Sequence, residues 1–139
     1  MKKTAEAARL TALVVDDNPL CRELAADTLR ARGLEVIAAR DGFEAIRVLS
    51  RRAAGIALLI VDTEMPGVHG WEVIRFARDK APAMPILRLG RPDDEPPGRV
   101  YQALSTVPVL PKPFTGQELL SSLPARPRRL ATLRRDLAR

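Results

Sequence analysis

Four residues have the types and spacing to do chemistry together: the adjacent pair Asp16-Asp17, then Asp62, then Lys112. Each stands just past a short apolar run. Asp16-Asp17 closes Leu10 to Val15, Asp62 closes Ile56 to Val61, and Lys112 follows Val107 to Leu110. An apolar run without polar alternation predicts a strand buried on both faces, as in a parallel sheet covered by helices. Parallel strands bring their carboxyl ends to one edge, where open α/β sheets place their chemistry. Three carboxylates gathered there repel one another and require a counterion. They are hard oxygen ligands suited to Mg²⁺. The Lys112 ammonium would offset charge and hold the oxygens of a transferred phosphoryl group. On residue type alone Asp62 is either a metal ligand or a nucleophile, since a carboxylate can attack phosphorus to give an aspartyl phosphate. Acids that only cap the following helices are the plainer reading, and Asp17 by itself would suit it.

The elements that position these residues are legible in the same terms. Strand one is expected over Leu10 to Val15. Asn18 then caps a helix with Pro19 at its first position and Leu20, Leu24, Ala25, Thr28 and Ala31 as the inward stripe, ending at Gly33. Leu34 to Ala38 is a short strand near an edge, because Glu35 interrupts it. Asp41-Gly42 turns the chain into a second helix marked by Phe43, Ala45, Ile46 and Leu49. After the Asp62 strand, Met65-Pro66-Gly67 forms a loop and Trp71, Ile74 and Ala77 mark a third helix that stops before Pro82. Pro85 to Gly90 is strand four. Residues 91–99 hold three prolines and three acids and form an irregular loop. Only a short helix, about Val100 to Ser105, fits before the fifth strand. Thr115 caps a last helix with Leu119, Leu120 and Leu123 on its apolar side. Strands alternating with helices demand crossover connections and a parallel sheet.

The 139 residues, 46% hydrophobic, suit one domain with a real core. Aromatics are only 4%, so aliphatic side chains and alanine must build it. No run approaches the ~18 apolar residues of a membrane span, and no leader is visible behind Met1-Lys2-Lys3. The single Cys21 has no partner for an internal disulfide and fits a cytoplasmic protein. Of the net charge of +6, residues 124–139 carry +5, so the body is near neutral. The expected layout is a lead-in over 1–9, one domain over 10–123 and an arginine-rich tail over 124–139. Leu130, Leu133 and Leu137 give that tail helical spacing. DNA binding is disfavoured because the basicity belongs to an appendage rather than to the body.

Asp16-Asp17, the stretch Asp62-Thr63-Glu64-Met65-Pro66-Gly67-Val68-His69-Gly70, and Lys112-Pro113-Phe114 together resemble the receiver domain of bacterial two-component response regulators. The resemblance covers about residues 10 to 123. It implies a doubly wound, flavodoxin-like (βα)₅ fold with strand order 2-1-3-4-5. It implies that Asp62 accepts a phosphoryl group from a histidine kinase or phosphotransfer protein. Asp17 would bind Mg²⁺ directly, Asp16 largely through water, and Glu64 through its backbone carbonyl. Lys112 would pair with the phosphoryl group, and Pro113 is similar to the family's cis proline. The side chain of Glu64, two residues past the acceptor, lies near the path of a hydrolytic water and is expected to modulate phosphoryl lifetime.

Two positions depart from the family pattern. The family usually places Thr or Ser at the end of strand four, where its hydroxyl binds the phosphoryl group; this chain has Gly90. The aromatic three residues before the lysine is Val109 here. Both changes touch transmission more directly than acceptance. Arg91 beside Gly90 could reach the phosphoryl oxygens, although a solvated charge paired with Asp93 or Asp94 is the plainer reading. Trp71 and Phe43 read as packing residues, and His69 as a surface histidine. The leading expectation is a single-domain receiver that signals through a downstream protein partner, with a homodimer open. The alternative is a non-phosphorylated receiver-like binding module. An aspartyl-phosphate hydrolase is disfavoured, because such enzymes carry a second aspartate where Glu64 stands.

Overall fold

The structure is a computed structural model that describes residues 9–124. The expected lead-in over 1–9 lies almost wholly outside the described residues, and so does the arginine-rich tail. Among the described residues five strands form one sheet: β1 Thr11–Val15, β2 Glu35–Ala39, β3 Leu58–Asp62, β4 Ile86–Leu89 and β5 Val109–Leu110. Their order is β2-β1-β3-β4-β5, and every neighbouring pair is parallel. The helices are α1 Pro19–Ala31, α2 Gly42–Arg52, α3 Gly70–Lys80 and α4 Gly116–Ser122. This is the doubly wound arrangement that the alternating strands and helices predict. Glu35 falls on the edge strand β2, which is only partly covered.

The central strands bury both faces, which is why they show no polar alternation. Leu13 and Val15 of β1, with Leu59 and Val61 of β3, point into a core shared with α2 and α3. Ala12, Val14, Leu58 and Ile60 point the other way, into a core closed by α1 and α4. Helix starts are fixed by side-chain caps. The Asn18 side chain accepts hydrogen bonds from the amides of Leu20 and Cys21 at 2.9 and 3.2 Å. Asp41 caps α2 through the Glu44 amide, so Asp41-Gly42 is a helix start rather than a turn. Thr115 and Glu118 cap α4 reciprocally.

Three local expectations are corrected. The inward stripe of α1 is Ala25, Ala26 and Leu29, whereas Leu20 is 80% and Leu24 38% exposed. The helix puts small residues against the sheet. It also runs close to α4, where a Cβ added at Gly116 would lie 2.7 Å from Thr28 Oγ1. Phe43 is no packing residue: it is 69% exposed on the first turn of α2. The short fourth helix is a 3₁₀ segment, Arg99–Leu104, after the proline-rich loop. Three prolines upstream and the return to β5 leave no room for a longer α-helix.

Candidate functional site

Asp16 follows β1 directly and is fully buried, while Asp17 turns outward and is exposed. Asp62 ends the adjacent strand β3 and is 3% exposed. Lys112 follows β5 and reaches back across β4's end to both acids. Its Nζ donates to Asp62 Oδ2 at 3.1 Å and lies 2.9 Å from Asp16 Oδ2. The peptide bond from Lys112 to Pro113 is cis. The remaining carboxylate oxygens are placed by backbone. Asp16 Oδ1 accepts from the Asn18 amide and Asp62 Oδ1 from the Glu64 amide, each at 2.9 Å. The side chains are therefore held before any ligand arrives.

Burial raises the Asp62 carboxyl pKa to about 6, and neighbouring Asp16 adds to the rise, while the Glu64 amide and the Lys112 charge oppose it. Burial works against the Lys112 ammonium as well, but the two carboxylates outweigh it and hold its pKa above the usual lysine value. Asp62 is thus mostly ionised at neutral pH, and costly to keep so. Its folded pKa lies above the unfolded value near 3.8. In protein held free of divalent cations, its contribution to stability is fully present below about pH 4 and is lost as pH rises through about 6. Asp62→Asn removes this dependence. The variant is expected to exceed wild type in stability at pH 7, by up to about 3 kcal/mol, with the difference closing towards pH 4. Paired thermal melts across that range check it, and parallel curves would refute it.

Carboxylate oxygens of Asp16, Asp17 and Asp62 lie within 4.8 Å of one another. Asp16 Oδ2 is buried, with Lys112 Nζ 2.9 Å away as its ion-pair partner. An all-oxygen, anionic set of three carboxylates fits a hard divalent cation. The exposed Glu64 side chain sits beside this cluster in sequence but takes no part in it.

Gly90 is buried with φ +147°, and a Cβ there would stand 2.8 Å from Thr63 Oγ1. That hydroxyl donates to Asp94 Oδ2 at 2.7 Å, with the Leu89 carbonyl 3.4 Å away. Val109 is half-buried and pairs in the sheet with Arg88. Arg91 is exposed with Nε 3.5 Å from Asp93 Oδ1, the solvated pairing rather than a reach into the site. Arg88 is only 4% exposed; its guanidinium lies 4.9 Å from the centre of the buried Trp71 ring and donates to the carbonyls of Val107 and Arg91. Burial lowers its pKa, and the charge of Asp94 counteracts part of that fall. His69 caps α3, its Nδ1 accepting from the Glu72 amide, and stands edge-on to Tyr101. Tyr101 in turn donates to Glu72 Oε2 at 2.6 Å. In the sequence Asp94 is only a candidate partner of Arg91, Thr63 and Tyr101 carry no local signal of their contacts, and Arg88 stands out as a charge inside the apolar run of strand four.

An open groove of about 760 Å³, lined by Leu10, Ile56, Pro82 and Met84 among others, lies at the opposite ends of the strands and has no part in the acidic site. Among the described residues no helix is long and apolar enough to cross a membrane.

A parallel sheet of order 2-1-3-4-5 carrying two buried acids and a bridging lysine at its carboxyl edge defines a receiver-type module. Residues 12–124 match the response regulator receiver domain, and the chain belongs to that family. It is 34% identical over 117 residues to the response regulator MprA of Mycobacterium leprae, covering 84% of this chain and 50% of that protein. It is 36% identical over 75 residues to the sensor histidine kinase RcsC of Salmonella typhimurium, covering 54% of this chain and 8% of that protein. The chemotaxis protein CheY4 of Vibrio cholerae has a similar structure, with TM-score 0.68 and 29% identity over 81% of this chain and 94% of that one. The chain therefore spans about half the length of MprA and a small part of RcsC.

Proposed function

We propose that this chain accepts a phosphoryl group on Asp62 from a phosphohistidine of a histidine kinase or phosphotransfer protein, and acts through contacts with other proteins. The observation that carries the reading is Lys112 Nζ, 3.1 Å from Asp62 Oδ2 and 2.9 Å from Asp16 Oδ2 at the carboxyl edge of the sheet. Asp62, ionised at pH 7, attacks phosphorus as the P–N bond of the donor breaks, and the imidazole leaves with that electron pair. The Lys112 ammonium meets the charge that develops on the phosphoryl oxygens. Asp16, Asp17, Asp62 and the Glu64 carbonyl would hold a Mg²⁺ ion, which supplies further charge neutralisation when bound. Residues 10–123 would form this receiver unit. The leucines that α1 turns outward, Leu20 and Leu24, start two turns or less from Asp17 and suit a protein rather than a small-molecule donor.

Intact-protein mass after incubation with Mg²⁺ and a small-molecule phosphodonor tests the acceptor. A gain of one phosphoryl group, absent in Asp62→Ala, is expected. No adduct with that donor or with a histidine kinase would instead favour a constitutive binding module, for which Gly90 and Val109 are the specific indications. Glu64 is exposed two residues past the acceptor and can orient an incoming water. Glu64→Ala is expected to lengthen phosphoryl lifetime about threefold, well short of the effect of a fully placed general base. Decay of the phosphorylated mass with time measures it, and an unchanged half-life would remove Glu64 from hydrolysis.

A further inference from the structure

We propose that the Thr63 hydroxyl takes the place of the hydroxyl missing at Gly90: it contacts the phosphoryl oxygens on Asp62 and, by turning to them, releases the 91–98 loop that it holds through Asp94. The inference rests on the phosphoacceptor reading above. Thr63 directly follows Asp62 and is 4% exposed. Its Oγ1 lies 2.8 Å from where a Cβ at position 90 would be, so it occupies the space that a side chain there would enter. A hydroxyl that is lacking at Gly90, just past β4, is thus present on the residue that follows β3.

A hydroxyl has one proton and donates it to one acceptor at a time. In the unmodified protein the acceptor is the Asp94 carboxylate, 2.7 Å away. A phosphoryl group brings a charge near −2 and three strong acceptor oxygens to the adjacent residue. It competes for the same proton and also repels Asp94, which sits among Asp93 and Glu95. Side chains outside the loop tie it down: Arg88 donates to the Arg91 carbonyl at one end, Tyr101 donates to Glu72 just past the other, and Thr63 holds Asp94 between them, while Pro96 is buried and the Asp94 amide donates to the Arg91 carbonyl. Losing the Thr63 tether leaves buried Pro96 and the ends fixed and lets the acidic stretch Asp93 to Glu95 change its face. In this way the loop, rather than a ring at Val109, reports the state of Asp62.

Backbone amide NMR with Mg²⁺ and beryllium fluoride, an acyl-phosphate mimic, tests this. In wild type the amides of Asp93, Glu95 and Gly98 are expected to shift together with those of residues 62–64. In Thr63→Val they should stand at the shifted positions before the mimic is added and move no further, while Thr63→Ser behaves as wild type. Asp94→Ala breaks the tether without touching residue 63, and its Gly98 amide should start at the released position while residues 62–64 still respond. Phosphorylation by a small-molecule donor should slow about tenfold in Thr63→Val, the worth of one hydrogen bond of ordinary net strength, and recover in Thr63→Ser. Shifts at 62–64 with none at 93–98 in wild type, or an unaltered rate in Thr63→Val, would overturn the proposal and leave Asp62 as acceptor. No response at 62–64 in wild type would overturn both.

Discussion

Replacing Lys112 with methionine is expected to slow phosphorylation of Asp62 on the order of 100-fold, the scale of removing one preorganised charge from a site of developing negative charge. Two effects act in the same direction. The phosphoryl oxygens lose the ammonium that meets them, and Asp62 loses the cation that opposes its raised pKa, so less of it is ionised at pH 7. The rate of phosphoryl incorporation, followed by mass, measures the loss; a change below threefold would show that Lys112 serves only to neutralise the unmodified site. The same variant leaves Asp16 and Asp62, both nearly inaccessible, with no positive neighbour among the described residues at the distances Lys112 holds. Without divalent cations it should therefore melt well below wild type, since removing one partner of a buried ion pair leaves the other uncompensated. Added Mg²⁺ should raise its melting temperature more than it raises that of wild type.

Gly70→Ala is expected to destabilise the fold by about 3 kcal/mol or more, at the upper end of overpacking costs. Gly70 opens α3, and a Cβ there would overlap the carbonyl oxygen of Asp62 and come within 2.5 Å of Thr63 Cα. Those are backbone atoms of the strand end that carries Asp62, so no side chain can rotate away to make room. Against a domain stability of roughly 5–15 kcal/mol, the loss should be plain in urea unfolding. A midpoint within error of wild type would mean that the start of α3 shifts freely past β3.

The sheet and the acids were readable because both are written in local sequence. Leu58 to Val61 had to be buried on both faces, and an acid at the end of such a run has one place to go. Asp16, Asp62 and Lys112 met as the strand ends predict. Leu20 and Leu24 misled because spacings of three and four define two possible faces on a helix that also carries Ala25, Ala26 and Leu29. Which face turns inward is decided by how closely α1 approaches the sheet and α4, a tertiary fact. Thr63 and Asp94 were invisible for a related reason. They are 31 positions apart, and their hydrogen bond exists only once the chain has folded. Tyr101 likewise has its contacts through Glu72 and His69, at the start of another helix. Phe43 seemed a core residue because large aromatics usually are, yet the first turn of α2 packs through Gly42, whose missing side chain admits Val68.

The orientation of α1 separates two inheritances. Its alanines and Leu29 answer to the core, and its leading leucines answer to nothing within the described residues that buries them. On the proposed reading, variation at positions 20 and 24 would change which surfaces this protein meets while the fold and the acidic edge stay as they are. Duplicated copies of such a chain could drift apart in their associations and keep one common chemistry.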